Sequence, residues 1–245
     1  MYAAKSRTTL MQVYEASLDS SSSETLSMLS ELRNAVAQGE LRLFLQPKIN
    51  LATGQVSAAE ALVRWQHPQR GLVPPLEFIP FAEQTGFVRQ LTMWMFEESA
   101  RVSKTLAGLE ITESAIMDDP QRAQSTLNLL SERGFKLSID DFGTGYSSLA
   151  YLKSLPVDEL KIDKSFVMNM ETDEDDAKIV RSTVDLAHNL GLTVVAEGVE
   201  NALIWDKLKA LNCDEAQGYF MSKPLAASSF AAWCEGWAAK QEKSA

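Results

Sequence analysis

Histidine, cysteine and long apolar runs are all scarce in this chain. Two histidines, His67 and His188, and two cysteines, Cys213 and Cys234, occur in 245 residues. The cysteines have neither zinc-ligand spacing nor the numbers of a disulfide framework, and two histidines are too few for a His-built metal site. His188 follows an apolar helical pattern and reads as a packing or surface residue. The cysteine usage points to a reducing, cytoplasmic setting. No apolar run is long enough to span a bilayer, and no basic-then-apolar leader opens the chain. Any membrane tether would therefore lie upstream, in a longer protein. Basic residues are also few: 23 Lys and Arg stand against 33 Asp and Glu, a formal net charge of -10. Gripping a long nucleic acid needs clustered cations, so that class of partner is excluded.

What is present is enough for one sizeable globular domain and a little more, with 45% hydrophobic and 23% charged residues. From Gly39 onward, strand and helix signals alternate. Strands are expected over residues 41–47, 56–64, 109–113, 136–141, 159–162, 194–197 and 215–219. Helices are expected over 75–84, 88–106, 120–132, 147–152, 177–190, 202–211 and 226–237, with a further amphipathic one over 23–37. Such alternation predicts a parallel sheet wrapped by helices. Periodicity alone leaves open whether the sheet is open or closed.

The acids fall in a pattern. Glu60, Glu110, Asp140, Lys161 with Asp163, Glu197 and Gln217 all lie near the C-terminal ends of different strands. In a (β/α) barrel those ends converge on one face. Asp140 and Asp141 are adjacent, in LSIDDFGTGYSSL (137–149). Crowded carboxylates repel one another or take up protons unless cations meet them. All-oxygen ligands favour Mg²⁺ or Mn²⁺ over zinc, and adjacent aspartates can serve two ions, with one carboxylate bridging. Paired ions of this kind activate water for phosphodiester hydrolysis, while Lys161 and Arg64 meet phosphate charge. Any one such acid alone is more simply a helix cap or an ion-pair partner; five at matching strand ends are not.

The motifs AEALVRW (59–65), LEITES (109–114), DDFGTGYSSL (140–149), LKID (160–163), VVAEGVE (194–200) and QGYFMSKP (217–224) resemble those of EAL-type cyclic di-GMP phosphodiesterases. FLQPKINLATGQV (44–56) and EFIPFAEQTG (77–86) resemble the same family. The resemblance implies an α/β fold, a modified TIM (β/α)8 barrel whose first strand is antiparallel. It implies metal-dependent hydrolysis of cyclic di-GMP to linear pGpG in bacterial signalling. It makes Glu60, Glu110 and Asp140 ligands of one ion, and Asp140 and Asp141 ligands of a second. Lys161 and Glu197 would orient or activate the attacking water, and Glu113 would steady the DDFGTG loop, which links metal binding to dimerisation. Gln46, Arg64, Asp163, Glu200 and Gln217 would line the nucleotide pocket. A homodimer is the expected assembly.

MYAAKSRTTLMQVYE (1–15) resembles the closing helix and strand of GGDEF diguanylate cyclase domains. Residues 1–22 are thus expected to be a GGDEF-like tail and linker, and 23–245 the EAL domain. The chain departs from the family in one place. Only SKTLAG separates the helix ending near Leu106 from LEITES, where the family has a further strand, its helix and an asparagine metal ligand. One βα unit, roughly 30 residues in a TIM barrel, is expected to be absent between residues 106 and 109. Three readings fit: a true deletion that opens the barrel, residues missing from this sequence, or a partner chain filling the gap. The alternative function is a catalytically weak module that binds cyclic di-GMP and signals to a protein partner; a structural remnant that neither binds nor cleaves is a third reading.

Overall fold

The structure is a computed structural model, and it describes residues 28, 30–102, 108–112, 120–143 and 152–244. The segment resembling a GGDEF tail, Glu113, the GTG loop beyond Gly143 and most of the helix expected over 147–152 lie outside these residues. The chain forms two compact units, one of residues 1–43 and 63–101, the other of 44–62 and 102–245.

The strands are β1 (Leu41–Asn50), β2 (Val56–His67), β3 (Gly71–Val73), β4 (Gly108–Thr112), β5 (Lys136–Phe142), β6 (Glu159–Ile162), β7 (Thr193–Ala196), β8 (Glu215–Ala216) and β9 (Leu225–Ala226). The helices are α1 (residues 30–37), α2 (Pro75–Gln84), α3 (Val88–Val102), α4 (Pro120–Glu132), α5 (Lys164–Asn169), α6 (Glu174–Asn189), α7 (Ala202–Ala210) and α8 (Ala227–Ser244).

The first unit is built on α1, α2 and α3, with β3 antiparallel to the end of β2. Its core gathers Leu32, Trp65, Phe78, Phe87 and Leu91. Trp65 is fully buried, and its indole N–H donates to Glu40 at 3.0 Å, which removes the cost of burying that donor. Pro75 opens α2 at a position where no backbone N–H is needed.

The second unit carries the parallel strands. Hydrogen bonding runs in the order β2-β1-β8-β7-β6-β5-β4. β4 to β8 are parallel, and β1 is antiparallel to β8, as expected for the first strand. Leu137, Ile139, Leu160 and Ile162 alternate with polar residues and, with Val194, pack outward under the helices. On α6, Val180, Thr183, Val184 and Ala187 recur every three or four residues and are buried. Asp173 caps this helix, accepting from Asp175 N at 2.8 Å, so α6 begins at Glu174 rather than at 177. β1 is buried on both faces from Leu45 to Ile49. Leu45 and Ile49 face one way, and Gln46 and Lys48 face the other, into the sheet's inner side.

β8 is shorter than expected, ending at Ala216. A Cβ on Gly218 would come within 2.1 Å of Val199 O, so the chain turns there in backbone contact. Three short elements, β3, β9 and α5, escaped the sequence reading. Each has six residues or fewer, too few to show a period.

Among the described residues, β4 pairs only with β5, and no ladder joins it to β2. Residues 57–62 of β2 are all exposed or half-buried, unlike the buried stretch of β1 beside them. That is the signature of a sheet edge where a closed barrel would have another strand.

Candidate active site

Lys161 lies at the centre of the carboxylate cluster. It sits on β6, is fully buried, and its ammonium contacts Glu197 Oε1 at 2.6 Å, Glu110 Oε2 at 2.8 Å and Asp140 Oδ1 at 3.3 Å. Burial alone would lower its pKa; Glu60, Glu110, Glu197 and Asp140 outweigh that and raise it well above the ordinary lysine value. Lys161 is therefore charged at any working pH.

The acids respond differently. Burial pushes Glu197 up to about 7, with Asp140 and Glu60 adding to the shift and Lys161 opposing it. Burial also raises Glu60, again against the pull of Lys161. Glu110 is lowered, because Lys161 and Lys48 together overcome its burial. Asp141 is raised by burial, by Asp140 and by Asp163.

Adjacent side chains on a strand normally point to opposite faces. β5 breaks that rule at Asp140 and Asp141. Its register with β6 slips between Ile139 and Phe142, and Asp141 takes a left-handed backbone with φ 57. The bulge puts both carboxylates on one side. Asp140, Asp141 and Glu197 each offer an oxygen, and these lie within 4.8 Å of one another. An all-oxygen set of this size fits a hard divalent cation.

Gln217 ties β8 to β2 and β1. Its Nε2 donates to Glu60 Oε2 and to Gln46 Oε1, the latter at 3.2 Å. Gln46 Nε2 in turn donates to Ser222 O at 3.3 Å. Gln217 is 4% exposed, and its Oε1 has no hydrogen-bond partner among the described residues. A buried acceptor in that state fits a site built to meet a donor on a ligand or water.

Glu60, Glu110, Asp140, Asp141, Lys161, Glu197, Gln46 and Gln217 are thus brought together, as expected. Asp163 does double duty: it caps α5, accepting from Ser165 N at 2.9 Å, and it interacts with Asp141. Glu200 is exposed, three residues past Glu197. Arg64 belongs to the first unit, where its guanidinium donates to Val63 O at 2.8 Å.

Sequence reasoning missed Lys48. Its ammonium lies 2.6 Å from Glu159 Oε1 and 3.2 Å from Glu110 Oε1. Four strands separate β1 from β4 in the sheet, so this contact crosses the inner side and shows that the sheet curls. The signal was available: Lys48 is two residues from Gln46, and Glu159 two from Lys161, each pair on one strand face.

The EAL domain family matches residues 29–107 and 98–224. This chain belongs to the EAL domain family. It is 36% identical to the bifunctional diguanylate cyclase/cyclic di-GMP phosphodiesterase MucR of Pseudomonas aeruginosa, over 87% of this chain and 37% of that protein. It is 38% identical to the cyclic di-GMP phosphodiesterase NbdA of the same species, over 82% of this chain and 31% of that protein. The chain thus spans about a third of the length of these curated relatives. Among solved structures, the PaMucR phosphodiesterase in complex with c-di-GMP superposes with a TM-score of 0.78 at 36% identity, covering 83% of this chain and 99% of that one. The EAL enzyme Bd1971 in its cGMP-bound form superposes with a TM-score of 0.78 at 30% identity, covering 88% of this chain and 71% of that one.

The comparisons bear on the gap. The two matched segments meet at residues 98–107, where the missing stave is expected. The alignment with MucR runs over 255 residues while taking in 87% of this 245-residue chain, so the relative carries segments that this EAL domain lacks. The fold is a modified TIM barrel, that of the EAL domains it superposes on.

Proposed function

We propose that this EAL domain hydrolyses one phosphodiester of cyclic di-GMP, giving linear pGpG. The observation that carries the reading is the meeting of Glu60, Glu110, Asp140, Asp141 and Glu197, from four strands, around a buried, permanently charged lysine. Relatives named as cyclic di-GMP phosphodiesterases support it.

Mg²⁺ or Mn²⁺ is the ion class that the oxygen donors suit. Asp140, Asp141 and Glu197 would hold one ion, and Glu60 and Glu110 with Asp140 would be the ligands of a second. A bound divalent cation supplies positive charge to phosphate oxygens and acidifies water. The chain's own groups do the rest. Lys161, in contact with Glu197, Glu110 and Asp140, orients Glu197 and offers charge to the phosphate. Glu197 orients the attacking water beside the ion it would hold, and the water's proton passes to solvent. Water oxygen bonds to phosphorus, the bond from phosphorus to the ribose 3′ oxygen breaks, and that oxygen leaves as a hydroxyl after taking a proton from solvent water. Gln46 and Gln217 present amide groups to the nucleotide, with Gln217 Oε1 as acceptor. Arg64, Asp163 and Glu200 as pocket residues, and Glu113 as the loop's support, rest on the resemblance.

Residues 1–22 are the end of an upstream GGDEF-like domain, in keeping with the bifunctional relative, and the working assembly is a cytoplasmic homodimer. No helix among the described residues is long and apolar enough to cross a membrane.

One observation favours the sensor reading: among the described residues no ladder joins β2 to β4, the strands that carry Glu60 and Glu110. Incubating the protein with cyclic di-GMP and Mn²⁺, then separating nucleotides by chromatography, tests both. Accumulation of pGpG supports the enzyme. Tight binding with no product overturns it in favour of the sensor.

A further inference from the structure

The expected two-ion arrangement does not fit equally at both of its halves. Both oxygens of Glu110 already face an ammonium: Lys48 lies 3.2 Å from Oε1 and Lys161 2.8 Å from Oε2. Glu60 has one oxygen bound to Gln217. The family's asparagine ligand belongs to the stave this chain lacks. By contrast, the described contacts of Asp140 and Glu197 with Lys161 use only Oδ1 and Oε1 respectively. Those two acids and Asp141 already lie within 4.8 Å of one another in oxygen position.

Lys48 is held where it is. It is 6% exposed and fixed by Glu159, on the strand next to β5. Its ammonium is a cation built into the chain, and it occupies an oxygen that a metal would need. An ion binding to Glu110 meets this ammonium at the same carboxylate, where like charges repel, and moving Lys48 aside leaves it buried with one partner fewer.

We propose that this EAL domain binds its two divalent ions unequally, the first at Asp140, Asp141 and Glu197, and that Lys48 makes the second weak by competing for Glu110. Lys48 is a positioning residue, acting through Glu110. This rests on the proposed metal-dependent function, but its test needs no nucleotide and no turnover.

The experiment is calorimetric titration of metal-stripped protein with Mn²⁺, read alongside electron paramagnetic resonance for spin-coupled manganese pairs. Wild type should show one tight event and a second at least tenfold weaker, the scale on which partners of metal ligands act, roughly 10- to 100-fold. Lys48→Met should strengthen the second event by that factor and bring the coupled signal in at lower Mn²⁺. Lys48→Arg, which keeps the charge, should behave as wild type. Two equally tight ions in wild type would overturn the proposal, even if Lys48→Met did not fold. So would a folded Lys48→Met protein with an unchanged or weakened second event. Failure to hydrolyse cyclic di-GMP would leave these isotherms as they are, so the two readings fail separately.

Discussion

In the middle of the sheet, β5, β6 and β7 are hydrogen-bonded on both sides, and the side chains they turn outward are buried. At its ends, β2 over residues 56–62 and β4 have a ladder on one side only among the described residues. Both regions contribute acids to one site. The middle places Asp140, Lys161 and Glu197 by backbone register. The ends place Glu60 and Glu110 by side-chain ties, to Gln217 in one case and to Lys48 and Lys161 in the other. The constellation thus holds where no backbone ladder joins β2 to β4 among the described residues, because polar side chains reach across the inner side of the sheet.

The largest expected effect separates the two regions by function. Glu60→Ala removes an acid of the end region whose carboxyl burial holds above its ordinary range. Production of pGpG should fall by at least about 100-fold, while the melting temperature stays level or rises. Undiminished pGpG would remove the ends of the sheet from the site.

Lys161 is the converse case, since it serves both stability and chemistry. Lys161→Met leaves four carboxylates without their buried cation. Urea denaturation in EDTA should show a loss of about 3–5 kcal/mol, and Mn²⁺ should recover part of it by replacing the missing charge. A loss under about 1 kcal/mol would mean that these acids are mostly protonated.

Packing should follow the same division. Leu160→Ala, in the fully buried middle, should cost about 2–5 kcal/mol. Leu62→Ala, on half-buried β2, should cost about 1 kcal/mol. Equal costs would argue that the β2 edge is covered.

The pH dependence is the smallest effect. Glu197 is raised to about 7, and Glu60 and Asp141 are raised as well. Across this window the folded protein holds more protons than the unfolded chain, so stability falls as pH rises. Glu110 and Asp163 are lowered, and their contribution changes only in more acidic solution. In EDTA the melting temperature should be lower at about pH 8 than at about pH 5.5, and Mn²⁺ should raise it more at the higher pH. A flat profile would contradict the burial of Glu197.

Much of this was legible in the sequence. Acids at matching strand ends gave the convergence of Glu60, Glu110, Asp140 and Glu197. Three features were not legible, each for a physical reason. The bulge at Asp140 and Asp141 depends on a pairing slip with β6, which local periodicity does not encode. Lys48 meets Glu110 only because the sheet curls, a contact between residues 62 apart in sequence. Asp163 reads equally well as a helix cap and as a pocket residue, and in the fold it caps α5 while facing Asp141.

The central claim is that the bulged end of β5 and the end of β7 make the primary cation site. An anomalous difference map from a crystal soaked in Mn²⁺ tests it most directly. The account predicts the strongest peak among the carboxylates of Asp140, Asp141 and Glu197. A strongest peak coordinated by Glu60 and Glu110, with Lys48 swung away, would contradict it.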